Sequence, residues 1–324
     1  MYDNMRISRR NFTLGALALA AQMGVGSVKA QGVISTLVGF PAGGAIDTTA
    51  RVYANAMKGF ATFVVENRVG AAGNIAAGSL AKSRLNGNTI MFAPVNVYSI
   101  SQSLYTNLQF NVSQDFAPVG LVAQFPWALA VHPDVPANNL SELIAWFKKN
   151  PEKAICGMGA IGSEGHMMAY VFSKVAGVPF NFAPYKGGAP MAQDLMAGHI
   201  PMGFDPIVNL VQPHKAGRLK ILAITSQERS SLLEDVPVFS ELGFPLSSGN
   251  TWIGVSVRKG TDEGRINQLS SALNEASMRS DVREKLAVQG LVTLQSSPEA
   301  MRKAIEDDAK RYASLIQEIG LKIT

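Results

Sequence analysis

Apolar runs of strand length alternate with stretches of helical apolar spacing from Val33 almost to the end of the chain. This alternation predicts α/β layers built on mostly parallel sheets. The first unit is a strand over 33–40, a Pro41-Ala42-Gly43-Gly44 turn, and a helix with Ile46, Ala50, Tyr53, Ala54 and Met57 on one face. Strands over 63–66 and 89–93 follow, separated by a glycine-rich turn at 70–78 that opens a helix ending near Arg84. Prolines at Phe125-Pro126-Trp127 and His132-Pro133-Asp134-Val135-Pro136 mark a crossing into a second lobe. That lobe repeats the scheme: a helix over 140–149, a strand over 153–156, and a turn from Gly157 to Gly162. A helix after Ser163 shows Met168, Val171, Phe172 and Val175 on one face, and strands are expected over 178–185, 200–204 and 219–225. A break at Ser247-Ser248-Gly249-Asn250 leads to a strand over 252–257 and two amphipathic helices, 263–279 and 298–319. The expected organisation is therefore 31–128 and 250–324 in one lobe and 129–249 in the other. The two crossings, near 125–131 and 247–252, would form a hinge.

The segment before Val33 has a different character. Ser8-Arg9-Arg10-Asn11-Phe12, an apolar run over 12–25 and Val28-Lys29-Ala30 read in the order basic, apolar, small, which predicts a twin-arginine-like export signal over 1–30, cleaved after Ala30. The apolar run is too short and too rich in Gly and Ala to span a bilayer, so the working protein is expected in the periplasm. Removing Arg6, Arg9, Arg10, Lys29 and Asp3 with that segment lowers the formal charge from +5 to +2. The remaining charges are scattered, which argues against nucleic-acid binding. The single Cys156 sits in an apolar run, reads as a buried small hydrophobe and allows no internal disulfide. Hydrophobic residues make up 47% of the chain, ample for a core, and a remaining length of roughly 290 residues fits two domains.

The candidate chemistry is sparse. Gly157-Met158-Gly159-Ala160-Ile161-Gly162 is a literal G-x-G-x-x-G between a strand and a helix. However, no Asp or Glu stands between Glu164 and Asp194 to hold a ribose, and no P-loop occurs. His132, His166, His199 and His214 are dispersed, and Ile161 breaks the G-x-S-x-G pattern before Ser163. No catalytic pair, metal set or cofactor motif is therefore expected. What remains is a pair of glycine-rich turns that deliver strands into helix starts, at 41–46 and 157–163. Each offers unpaired backbone N–H groups and the positive end of a helix to an anion. For either turn alone, an ordinary tight βα connection is the competing reading.

Several motifs in register resemble those of the tricarboxylate-binding receptors of tripartite tricarboxylate transporters, the Bug receptors. Phe40-Pro41-Ala42-Gly43-Gly44-Ala45-Ile46-Asp47 with Ala50-Arg51 is similar to the family's F-P-P-G-G-G-[ST]-D and A-R, and Glu66-Asn67-Arg68-Val69-Gly70-Ala71-Ala72-Gly73-Asn74-Ile75 to its E-N-R-P-G-A-G-G-N-I. Asp115-Phe116-Ala117-Pro118-Val119, Pro184-Tyr185-Lys186-Gly187-Gly188-Ala189-Pro190 and Lys215-Ala216-Gly217-Arg218-Leu219 also fall in family order. The resemblance implies a two-lobed periplasmic-binding-protein fold closing like a flytrap on a small carboxylate. It further implies a monomeric receptor serving the membrane subunits of a transporter, with no catalysis. A ligand sensor for a membrane signalling partner is the first alternative and a secreted enzyme the second.

By position, the resemblance places Phe40, Ala42, Gly43, Gly44, Ala45, Ile46, Asp47, Val95, Asn96, Tyr98, Met158, Gly159, Ser163 and Asp205 at the ligand. The other role open to Asp205 is N-cap of a helix beginning at Pro206. Ile46 replaces the family's Thr or Ser, Met158-Gly159 replaces a Ser-Ser pair, Val95-Asn96-Val97-Tyr98 is bulkier than the usual loop, and Trp127 is an added aromatic. These departures predict a more apolar cleft, suited to an acid with an apolar or aromatic body rather than to citrate, although each could equally be packing behind it.

Overall fold

The computed structural model describes residues 32–244 and 251–323. The expected export signal and part of the expected second crossing, 245–250, lie outside the described residues. The strands in chain order are β1 Val33–Val38, β2 Thr62–Asn67, β3 Thr89–Pro94, β4 Phe116–Phe125, β5 Trp127–Val131, β6 Ile155–Met158, β7 Asn181–Pro184, β8 Met202–Pro206, β9 Lys220–Ile224, β10 Thr251–Arg258 and β11 Val292–Thr293. They form two sheets, ordered β11-β4-β10-β3-β1-β2 and β7-β6-β8-β5-β9.

The pairings give each sheet a dominant direction. In the first sheet β1, β2, β3 and β4 point one way, with β10 and β11 against them; in the second β6, β7, β8 and β9 agree and β5 opposes. Parallel neighbours need long crossovers, which the helices Ala45–Ala56, Asn74–Ala81 and Glu164–Ala176 help to supply. The opposing strands β5 and β10 are the ones with which the chain enters a sheet, and both are buried almost throughout. Only Pro126 separates β4 in the first sheet from β5 in the second. The fold is thus the two-lobed, mostly parallel α/β architecture that the alternation implies.

Differences from the sequence pattern have local causes. Strand β4 was not legible because Pro118 and Gly120 interrupt its apolar run. Both lie where its pairing with β10 shifts register, at Ser256↔Pro118 and Val255↔Gly120, and a bulge is where a strand tolerates a missing donor. The helix expected over 263–279 ends at Met278, where Arg279 turns extended and a separate helix, Ser280–Ala287, begins. With Pro298–Ile319 these helices pack on the first lobe, against β4 and the helix Ala45–Ala56.

Large buried aromatics fill both lobes. The Tyr53 hydroxyl donates to the Val122 carbonyl at 2.7 Å, tying the first helix to β4. In the second lobe Phe172 packs against Phe180, Phe204, Phe239 and Phe244 at centroid distances of 5.8 to 6.5 Å. Cys156 is buried, and burial pushes its thiol up to about 12. Among the described residues no helix is long and apolar enough to cross a membrane.

Candidate functional site

The carboxyl ends of the parallel strands in both sheets converge on one cavity of about 460 Å³. From the first lobe come residues 39–42 and 44–46 after β1, and Pro94 and Asn96 at the end of β3. The second lobe contributes Gly159, Ala160 and Ser163 after β6, residues 185–189 after β7, and Asp205 and Pro206 from β8. Phe125, Trp127 and Thr251 line it at the crossings. The lobes touch at the cavity wall, where the Pro41 ring lies so close to Gly187 that a Cβ there would come within 3.0 Å of it.

The two helix starts are not equivalent. The helix Ala45–Ala56 begins after Gly44 with no side-chain cap, so its first-turn amides have no intrahelical partner, and Ala45 and Ile46 line the cavity. The helix Glu164–Ala176 is capped by Ser163, whose hydroxyl accepts from the His166 amide at 3.2 Å and donates to the Ala160 carbonyl at 2.8 Å. His166 in turn accepts the Gly162 amide on Nδ1 at 3.3 Å, and burial pushes its pKa down to about 4, which keeps it neutral. The second turn has already used hydrogen-bonding groups that the first leaves free.

Of the residues expected at the ligand, Phe40, Ala42, Gly44, Ala45, Ile46, Asn96, Gly159, Ser163 and Asp205 line this cavity. The other five do not. Asp47 turns away to receive the Gly43 amide at 2.9 Å, Arg51 Nε at 2.9 Å and Asn67 Nδ2 at 2.8 Å, and that bond also uses up the Gly43 N–H. Burial pushes the Asp47 carboxyl up, but the hydrogen bonds from Arg51, Gly43 and Asn67 outweigh it and hold the pKa below the ordinary value. Tyr98 is fully buried, bonded to Ser256 Oγ at 2.8 Å and stacked on Trp252 at 5.6 Å. Val95 lies in the same core cluster. Met158 is 1% exposed, its side chain on the Cys156 face of β6, and its carbonyl accepts the Tyr185 amide.

Glu164, which the sequence reading passed over, closes the deep wall. Its carboxylate end is reached by Trp127 Nε1 at 3.2 Å, by the Thr251 hydroxyl and by the Tyr312 hydroxyl at 2.5 Å. Trp127 Nε1 is shared with Thr251 Oγ1 at 2.6 Å. Burial raises the Glu164 pKa, while the Thr251 and Tyr312 hydroxyls pull it back. The indole packs directly against Gly165, where a Cβ would come within 2.4 Å of Trp127 Cζ3, so Trp127 is a fixed aromatic wall. The signals in the sequence were a tryptophan at the crossing and an acid beside a helix cap. Nothing local connected them.

Asp205 is 1% exposed. It does not cap a helix: the next one starts at Ile207, its N-cap position is Pro206, and no side chain caps it. Asp205 Oδ2 instead accepts from Asn209 Nδ2 at 2.5 Å. Burial pushes its pKa up to about 8, against which the Asn209 bond is a smaller pull. Among the described residues no group of His, Cys, Asp and Glu is placed to hold a metal ion.

Two outcomes follow from these acids. Because all three partners of Glu164 donate to it, Glu164→Gln turns an N–H₂ toward donors and should cost about 1–3 kcal/mol in urea unfolding; an unchanged midpoint would mean the carboxyl does not organise the wall. For Asp205 the folded pKa is raised, so the fold is favoured while the acid holds its proton. That contribution is full below about pH 4 and is lost as the pH rises towards about 8. The thermal midpoint of unliganded protein should fall more steeply across that window than that of Asp205→Asn, and equal slopes would refute the assignment.

Comparison with known proteins places the chain in a family. The family model described as "Tripartite tricarboxylate transporter family receptor" matches residues 49–321. Protein BugT of Bordetella pertussis is 32% identical over 293 residues, covering 90% of each chain. The structure "R. palustris Rpa4515 with adipate" is 28% identical with a TM-score of 0.85, covering 90% of this chain and 98% of that one. MatC (Rpa3494) from Rhodopseudomonas palustris, with bound malate, is 26% identical with a TM-score of 0.82 over 88% and 98%.

Proposed function

The chain belongs to the tripartite tricarboxylate transporter receptor family, and from that premise we propose an exported, non-catalytic receptor. It captures a small carboxylate with an apolar or aromatic body and presents it, as a monomer in the periplasm, to the membrane subunits of its transporter. The observation that carries this reading is the uncapped first turn at Ala45 and Ile46, open to a cavity shared by both lobes. A carboxylate held by two such amides gains roughly 1.5–3 kcal/mol per charge-assisted bond. Burial of its body supplies the rest of the roughly −8 kcal/mol of a micromolar complex. Phe40, Phe125, Trp127 and Tyr185 give that body aromatic walls. The malate and adipate bound by two structural neighbours support an acid of small to medium length. Ser163 Oγ is spent on the Ala160 carbonyl and His166 Nδ1 on the Gly162 amide, so this pair does not act as nucleophile and base, in keeping with a ligand that leaves unchanged.

Ile46 sits in the anion-holding turn without a hydroxyl, so a citrate hydroxyl buried against it goes unpaired, at roughly 1–3 kcal/mol. Calorimetry should rank benzoate-like, phthalate-like or medium-chain dicarboxylic acids above citrate, and Ile46→Thr should narrow the gap. Citrate binding tightest to the wild type would overturn the ligand class. Export is checked separately: mass spectrometry of periplasmic protein should find a chain beginning near Gln31, and an intact Met1 there would sink the signal assignment.

A further inference from the structure

The cavity holds a polar atom that the protein leaves unpaired. Asp205 Oδ2 takes the Asn209 amide, but Oδ1 has no hydrogen-bond partner among the described residues. It lies on the side of Gly159, 3.7 Å from where a Cβ on that residue would be, and Gly159 lines the cavity. The carboxyl is packed onto the first turn of the helix Gly188–Met196: a Cβ at Gly188 would stand 2.1 Å from Oδ2 and 2.4 Å from Oδ1. That helix also starts without a side-chain cap.

We propose that Asp205 is a hydrogen-bond donor, through a proton on Oδ1, to a second oxygen function of the bound acid. The ligand class is then a carboxylate bearing a distal carboxyl, ester or carbonyl oxygen, and not an amino acid. This rests on the receptor reading above and adds the far end of the ligand to it.

The proton balance supports a donor. The positive end of the Gly188–Met196 helix favours the anion, but burial opposes it and wins, leaving the acid with a pKa of about 8. Of the other ionisable groups lining the cavity, Lys186 is exposed and shares no hydrogen bond with Asp205, Tyr185 is bonded to Asp194, and Glu164 is engaged by Trp127, Thr251 and Tyr312. Among the described residues that line the cavity no cation is paired with this carboxyl, and with its pKa pushed up to about 8 the group carries its proton at neutral pH. Asn209 gives its N–H to Oδ2, which leaves Oδ1 as the oxygen that holds the proton towards the cavity.

A series of six-carbon acids tests this by calorimetry on the exported protein: hexanoate, adipate, adipate monomethyl ester and 6-aminohexanoate. Adipate should bind at least about tenfold more tightly than hexanoate, since one lost charge-assisted bond is worth that factor, and its monoester, whose ester carbonyl is neutral, about two- to tenfold more tightly, with 6-aminohexanoate weakest. Adipate affinity should fall about tenfold per pH unit above about pH 8 as the donor is lost. Asp205→Asn, which still donates, should keep the adipate preference over hexanoate but lose the pH dependence. Asp205→Ala should lose the preference itself. Hexanoate equal to adipate in the wild type, or 6-aminohexanoate tightest with Asp205→Asn abolishing it, overturns the donor while leaving a carboxylate receptor in place. Failure of every acid in the series, and of the benzoate-like and phthalate-like acids, removes both readings.

Discussion

Three donors from separate parts of the chain meet on the carboxyl of Glu164. Trp127 opens β5 just after the crossing out of the first sheet, Thr251 opens β10 where the first sheet resumes, and Tyr312 belongs to the helix Pro298–Ile319. Taking a carboxyl out of water costs several kcal/mol unless its lone pairs are filled. These lone pairs are filled only when both crossings and the helix Pro298–Ile319 stand where they do. The relative placement of the lobes is thus coupled to a local requirement for hydrogen bonds. Trp127 is held by its N–H and supported beneath by Gly165, so the same requirement sets the shape of the cavity's aromatic wall.

The cavity also divides its polar duties unevenly. The second helix start engages amides of its own turn through Ser163 and His166, while the first has no side-chain cap and is braced from behind by Asp47. A third wall adds strain: Ala71 and Ala72 have φ of +46° and +52°, a left-handed conformation that costs a residue with a Cβ roughly 1–2 kcal/mol. Asn96 Nδ2, donating to the Ala72 carbonyl at 2.7 Å, helps hold that loop against the cavity. Strain of this kind persists where the surroundings over-determine the backbone, and here it borders the candidate site.

Much of this was legible in the sequence, because apolar periodicity reports which element forms and glycine-rich turns report where a strand meets a helix. The βαβ order, the helix Leu140–Lys149 and the place of residues 40–46 at a strand-to-helix turn followed from those signals. Periodicity does not report which neighbour covers a given face. Tyr98 and Met158 stand beside cavity residues in the chain, yet their side chains go to the core. Asp47 is an acid in a helix's first turn, and only the fold shows that Asn67, twenty positions on, claims it. Glu164 is the converse case. Its place after a helix cap accounts for it locally, so nothing pointed to Tyr312, 148 positions away. Pro118 and Gly120 hid β4 because the bulges that accommodate them depend on β10, which arrives much later in the chain.

The charges around the cavity fit the proposal that backbone amides hold the anion. Two buried acids, Glu164 and Asp205, line it together with an exposed Lys186. A deep arginine would pair with one of those acids before it met a ligand, whereas an amide at a helix start is a fixed dipole with no competing partner. Amides do not titrate, so the proposed hold on one carboxylate is insensitive to pH. The pH sensitivity of the site is left to the acids, and among the described residues Asp205 is the one of the two whose carboxyl keeps an oxygen without a hydrogen-bond partner. On the proposed reading the backbone places the first charge, Trp127 and Phe40 shape the space for the body, and the protonation of one buried acid selects what the far end of the ligand offers.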